Sequence, residues 1–154
     1  MANYFFDTSA IVKHYNPELG SSRVDALLAE VGSAHAISRL AIVEFHSAFA
    51  RKVRTGRLTP EEFAITTRLF RADVSAKRFR IVGLRVAAYD SAVKLIRRIG
   101  PLQNLRTLDA LQLAVALELN GRGVPVEFVC ADQALCITAS AEGLMAINPE
   151  IESR

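Results

Sequence analysis

No stretch of about 18 apolar residues occurs in this chain, so no helix long enough to span a membrane is expected. A basic-then-apolar leader is missing too, because Asp7 interrupts the first apolar run, and a cytoplasmic protein is the expectation. Cysteine is scarce. Cys130 and Cys136 are too few for a disulfide framework and lack the paired spacing of a zinc site, so both read as reduced and structural. Gly121-Arg122-Gly123 has no Lys-Ser/Thr after it, which leaves a turn rather than a phosphate-cradling loop. The three histidines, His14, His35 and His46, form no metal or triad spacing; His46 lies two residues from Glu44 and projects from another helix face. No Ser-His-Asp or Cys-His pattern offers a covalent nucleophile. Acids are sparse in the middle: residues 51 to 106 hold fourteen Lys/Arg against four Asp/Glu, whereas the flanks hold five against twelve. A basic surface near a carboxylate cluster attracts a polyanion and holds cations against it. Arg51, Lys52, Arg54, Arg57, Arg78 and Arg106 are the candidates for an RNA path.

What is present describes one ordinary domain over residues 1–154, with 51% hydrophobic and 23% charged residues. The mean hydropathy of +0.21 hints at apolar surface covered by a partner. An apolar strand beginning near Asn3 stops at Asp7, and Ser9 is expected to cap a short helix limited by Pro17. Ser21 or Ser22 starts a second helix, and Gly32 ends it. Ala34 to Ser38 reads as a strand, with Ser38 capping a long helix from Leu40 to Arg54 that carries Glu44 in its second turn. Thr59-Pro60-Glu61-Glu62 is a capping box with proline in the first turn, opening a helix to about Ala76 with Phe63, Leu69 and Phe70 apolar. Phe79 to Leu84 is a third strand, followed by a helix from Arg85 to Ile99 in which Asp90 and Lys94 are spaced for an ion pair. Thr107 is expected to cap a helix over 108–119, placing Asp109 in its first turn. Val126 to Cys130 is a strand that stops at Ala131-Asp132, repeating the Asp7 arrangement. A helix over 133–142 and a strand over 144–147 close the chain. This alternation predicts a three-layer α/β/α sandwich around a central parallel sheet of four or five strands.

Each acid has a plain structural explanation when taken singly, Asp109 above all, since a first-turn Asp suits the positive end of a helix. Together they form a pattern. Asp7 and Asp132 end strands at the edge where open parallel sheets carry their functional crevice. Glu44 and Asp109 lie in early turns of helices that begin at that edge. Four such carboxylates cannot all stay ionised at close range without cations. Oxygen-only ligation favours Mg²⁺ or Mn²⁺ over zinc, and a metal-activated water is the simplest hydrolytic nucleophile.

The segments Tyr-Phe-Phe-Asp-Thr-Ser-Ala-Ile-Val-Lys at 4–13, Ser-Arg-Leu-Ala-Ile-Val-Glu-Phe at 38–45, Leu-Arg-Thr-Leu-Asp-Ala-Leu-Gln-Leu-Ala-Val-Ala at 105–116 and Phe-Val-Cys-Ala-Asp-Gln-Ala-Leu at 128–135 resemble the PIN-domain ribonucleases. Within that family they resemble the VapC toxins of toxin-antitoxin pairs. The resemblance covers nearly the whole chain. It implies Asp7, Glu44 and Asp109 as core metal ligands, Asp132 as completing the acidic site, and Ser9 as supporting Asp7 by a hydrogen bond. It also implies a Mg²⁺-dependent ribonuclease cutting tRNA or rRNA, frequent homodimerisation, and inhibition by a small VapB-like antitoxin. One position departs from the pattern: Cys130 stands where many relatives carry threonine. The competing expectations are a non-catalytic RNA- or partner-binding module and an RNA-processing nuclease without an antitoxin. A haloacid-dehalogenase-like phosphatase also begins with a strand-ending Asp, but it needs a second Asp two residues on, where this chain has Ser9.

Overall fold

Tyr4 and Phe6 point to one face of their strand and Phe5 to the other, and all three side chains are buried. A strand buried on both faces belongs in the middle of a parallel sheet. The structure is a computed structural model that describes residues 1–151. Its elements are β1 (Asn3–Phe6), α1 (Thr8–Tyr15), α2 (Ser21–Ala29), β2 (Ala34–Ser38), α3 (Arg39–Arg54), α4 (Pro60–Ser75), β3 (Arg80–Val82), α5 (Val86–Ile99), α6 (Thr107–Gly121), β4 (Glu127–Val129), α7 (Gln133–Ala141) and β5 (Met145–Ile147). The five strands form one sheet in the order β3-β2-β1-β4-β5, every neighbouring pair parallel. This is the expected α/β/α sandwich, with five strands.

Two separate cores cover the sheet. Phe5, Ala36 and Phe128 face α5, α6 and α7, whose Leu95, Leu113, Val115 and Leu135 are buried against them. Tyr4, Phe6, Ile37 and Val129 face α1, α2, α3 and α4, where Phe45 and Phe70 stack at 3.9 Å between ring centroids. Stacked, fully buried phenylalanines of this kind cost about 3–5 kcal/mol when cut to alanine.

Several local expectations change. The first helix is capped by Asp7, not Ser9: the Asp7 carboxylate accepts both the Ser9 amide and the Ser9 hydroxyl. α2 is capped by Gly20 rather than Ser21 or Ser22, because φ of 88° and backbone atoms of Pro149 only 3.0 Å from a would-be Cβ leave room only for glycine. α6 starts one residue earlier than expected, with Arg106 at its N-cap and Thr107 already helical. Leu69 is 55% exposed, since only Thr66 and Phe70 of α4 are buried. Asp90 and Lys94 are both exposed and make no ion pair among those of the described residues; such a pair in water gains little. The edge strands β3 and β5, and β4 beside β5, are each three residues long, shorter than the apolar runs that signal them. Ser38 and the Thr59-Glu62 capping box act as expected. No helix of the described residues is long and apolar enough to cross a membrane.

Candidate metal centre

The ladder of β1 continues one residue beyond the strand, where the Asp7 amide donates to the Val129 carbonyl at 2.9 Å. Phe6 is in register with Ile37 on one side and Val129 on the other. Asp7, Ser38 and Cys130 therefore stand side by side at the carboxyl edge of the three central strands. Asp7 is 5% exposed, and its Oδ2 accepts from the Ser9 amide at 3.0 Å and the Ser9 hydroxyl at 2.6 Å. Burial pushes its pKa above the ordinary carboxylate value; the Ser9 hydrogen bonds oppose the rise, and the charge of Asp109 adds to it.

Glu44 reaches the same edge from α3. Its Oε1 accepts from Gln112 Nε2 at 2.8 Å and from the Thr8 hydroxyl at 3.3 Å. Desolvation raises its pKa, the Gln112 hydrogen bond lowers it, and the charges of Asp7 and Asp109 raise it further. Gln112 is fully buried and spends its carbonyl on the Ser38 hydroxyl at 2.6 Å and its amide on Glu44 and Thr8. One side chain thus ties the end of β2 and the starts of α1 and α3 to α6. Asp109 lies one turn before Gln112 on α6, with its side chain 14% exposed.

Asp132 caps α7, its Oδ1 accepting the Leu135 amide at 3.1 Å. It is linked to Asp7 through Ser9, whose hydroxyl accepts the Ala131 amide at 3.0 Å while donating to Asp7. Cys130 also contributes. Its sulfur accepts the Asp132 amide at 3.3 Å and lies 3.6 Å from Ser9 Oγ. Both cysteines are free and buried.

The sequence placed four acids and Ser9 at this edge. The structure brings Asp7, Glu44 and Asp109 close enough to feel one another's charge, and Asp132 joins them through a cation that sequence reasoning assigned only to a possible RNA path. Arg106 Nε donates to Asp109 Oδ2 at 2.9 Å, and its terminal nitrogen lies 3.9 Å from Asp132 Oδ2. Thr8 and Gln112 were missed. A lone glutamine amid Leu, Ala and Val at 108–119, three residues after Asp109, was the signal that could have found Gln112. The donor set, all oxygen and partly desolvated, has the chemistry of a Mg²⁺ or Mn²⁺ site. In their present rotamers no three His, Cys, Asp or Glu side chains among the described residues stand close enough to grip an ion.

The histidines stay outside this arrangement: His14 pairs with Asp25, His35 contacts Ser33 and the Leu27 carbonyl, and His46 contacts the Ile42 carbonyl. Of the basic candidates, Lys52 is paired with Glu18 and Arg78 with Asp73. Arg51 and Arg54 lie about 10 to 15 Å beyond Glu44 along the axis of α3.

The PIN domain family model matches residues 4–135. This chain is a PIN domain. Among curated proteins none matches it. Solved PIN-like chains do. VapC20 of Mycobacterium tuberculosis, described as a sarcin-ricin loop cleaving toxin, superposes with a TM-score of 0.67 at 16% identity, over 97% of this chain and 99% of that one. A chain of the VapBC2 structure of Rickettsia felis, bound to a promoter DNA fragment, gives 0.62 at 15% identity over 94% and 97%. FitAcB of Neisseria gonorrhoeae gives 0.62 at 15% identity over 95% and 97%. At such identities the likeness is one of fold. It covers 94 to 97% of this PIN domain's chain.

Proposed function

We propose that this PIN domain is a metal-dependent endoribonuclease, the toxin of a toxin-antitoxin pair. The observation that carries the proposal is that Asp7, Glu44 and Asp109, from three separate elements, reach one sheet edge, where the charge of Asp109 raises the cost of ionising Asp7 and Glu44 and the charge of Asp7 that of Glu44. Asp7, Glu44 and Asp109 are the residues that would hold Mg²⁺ or Mn²⁺, with Asp132 completing the acidic rim. When bound, such an ion lowers the pKa of water and neutralises charge on a phosphodiester. The chain's own part is placement. Ser9 orients Asp7, Gln112 and Thr8 orient Glu44, and the Asp132 amide is fixed by Cys130. The basic middle of the sequence supplies attraction for RNA.

The likeness to the VapBC2 chain, and to VapC20 as a sarcin-ricin loop cleaving toxin, supports the toxin reading and a structured RNA such as tRNA or rRNA as substrate. The same likeness supports a VapB-like antitoxin as partner, and a homodimer is the assembly that goes with this reading. The test is RNA cleavage by the purified chain in Mg²⁺, in EDTA, and after Asp7→Asn. Cleavage that needs the ion and vanishes in a folded Asp7→Asn variant is expected. Equal cleavage in EDTA would sink the metal mechanism, and tight RNA binding without cleavage under any divalent ion would favour a non-catalytic module.

A further inference from the structure

The positive end of α6 is a poor place for a cation, since the helix dipole there repels it and an N-cap arginine offers no side-chain acceptor to the exposed amides. Arg106 nevertheless occupies that N-cap, makes no capping bond, and has a side chain 67% exposed. Something other than the helix holds its guanidinium in place. Two acids do: Asp109 at 2.9 Å and Asp132 at 3.9 Å, from α6 and α7 respectively.

The other acids have fixed partners. Asp7 is held by Ser9, Glu44 by Gln112 and Thr8, and one oxygen of Asp132 by the Leu135 amide. Asp109 Oδ2, by contrast, accepts from the movable guanidinium, its hydrogen-bond partner among the described residues. A rigid half of the site, built on buried hydrogen bonds, therefore faces a half whose geometry depends on one long, solvent-exposed side chain.

We propose that Arg106 is a built-in counter-ion, which balances Asp109 and Asp132 in the metal-free protein and must release them before a divalent cation can bind. This positioning role rests on the reading of the acids as a metal site. It gives Asp109 Oδ2 a partner that an incoming cation has to displace. It also makes site assembly depend on the concentration of the ion, which competes with Arg106 for the same oxygens.

The test is titration of the metal-free full-length chain with Mn²⁺ by calorimetry, comparing wild type, Arg106→Gln, Arg106→Lys and Asp109→Asn. Arg106→Gln is expected to bind Mn²⁺ about 3- to 10-fold tighter, from loss of a competing unit charge at an exposed pair. Arg106→Lys, which keeps the charge, is expected to stay within about 2-fold of wild type. Asp109→Asn is expected to bind more weakly than wild type. Circular dichroism on each protein verifies that the fold persists. Measurable binding with Arg106→Gln no tighter than wild type overturns the counter-ion role and leaves the nuclease reading standing. Failure of wild type and all three variants to bind Mn²⁺ overturns the metal site and this role with it.

Discussion

Gln112 shows what one polar residue does inside an apolar helix. Its carbonyl and amide have partners on three other elements, so it converts the packing of α6 into the aim of Glu44. Replacing it with leucine keeps the volume but strands the Ser38 and Thr8 hydroxyls and removes a donor that holds the Glu44 pKa down. Gln112→Leu is expected to lose about 1–3 kcal/mol of stability by urea unfolding. RNA cleavage by the same variant is expected to fall about 10- to 100-fold, the usual effect of losing a group that orients a ligand. A variant with full activity would show that Glu44 is aimed by α3 and Thr8 without Gln112. At this scale the acids themselves were legible, because a carboxylate that interrupts an apolar run is visible in one dimension. Their partners were less so: Thr8 and Ser9 are adjacent in sequence, yet Thr8 serves Glu44 and Ser9 serves Asp7 and Ala131.

Among the elements, α1 is tethered at both ends. Asp7 caps its start, and Lys13 in its last turn, 5% exposed, pairs with Glu18 at 3.2 Å and Glu150 at 2.6 Å. Glu18 also pairs with Lys52 of α3 at 2.9 Å. Burial raises the Glu18 pKa, but hydrogen bonds from Lys52 and Lys13 outweigh this and leave it below its ordinary value of 4.5. A carboxyl depressed in the folded state contributes stability that is present above 4.5 and lost as pH falls through the folded value. Glu18→Gln is expected to lower stability at pH 7 by roughly 1.5 kcal/mol, the low end for bonds to charged groups because Glu18 is partly exposed. The difference from wild type should shrink below pH 4 or so, as wild-type Glu18 takes up its proton. Thermal melts of both proteins across pH 3 to 7 measure this; a gap that stays constant would mean the tether does not act through charge. The helices were legible in the sequence wherever their signals are local, as in the Thr59-Glu62 capping box. The caps of α1, α2 and α6 were not: Asp7 rather than Ser9 caps α1, Gly20 packed against Pro149 precedes α2, and Arg106 stands before α6 with no side-chain cap.

For the molecule as a whole, Asp7 and Glu44 make the metal-free state pH-sensitive in the opposite direction. Carboxyls whose pKa is raised by folding contribute most below their unfolded values, and that contribution is lost as pH climbs through the raised ones. In EDTA, Asp7→Asn is therefore expected to be more stable than wild type at pH 7, because a buried charge has been removed. A divalent ion that binds only the folded chain adds about 2.7 kcal/mol at one hundred times its Kd. That corresponds to a rise in Tm of roughly 5–10 °C for a domain of this size. The rise is expected for wild type in Mg²⁺ or Mn²⁺ and not for Asp7→Asn; an equal rise in both would place ion binding elsewhere.

The chain's own order of residues determined the α/β alternation and the four interrupting acids, because strand, helix and breaker signals act over a few neighbours. It also carried enough of the family pattern, over residues 4–135, to identify the PIN domain. Only the tertiary structure decided that β1 lies at the centre of the sheet, that Gln112 joins four elements, and that Arg106 stands among the acids. Those outcomes depend on groups far apart in sequence, such as Thr8 and Gln112, meeting where water is excluded. In such a place each polar atom must find its partner in space, wherever along the chain that partner lies.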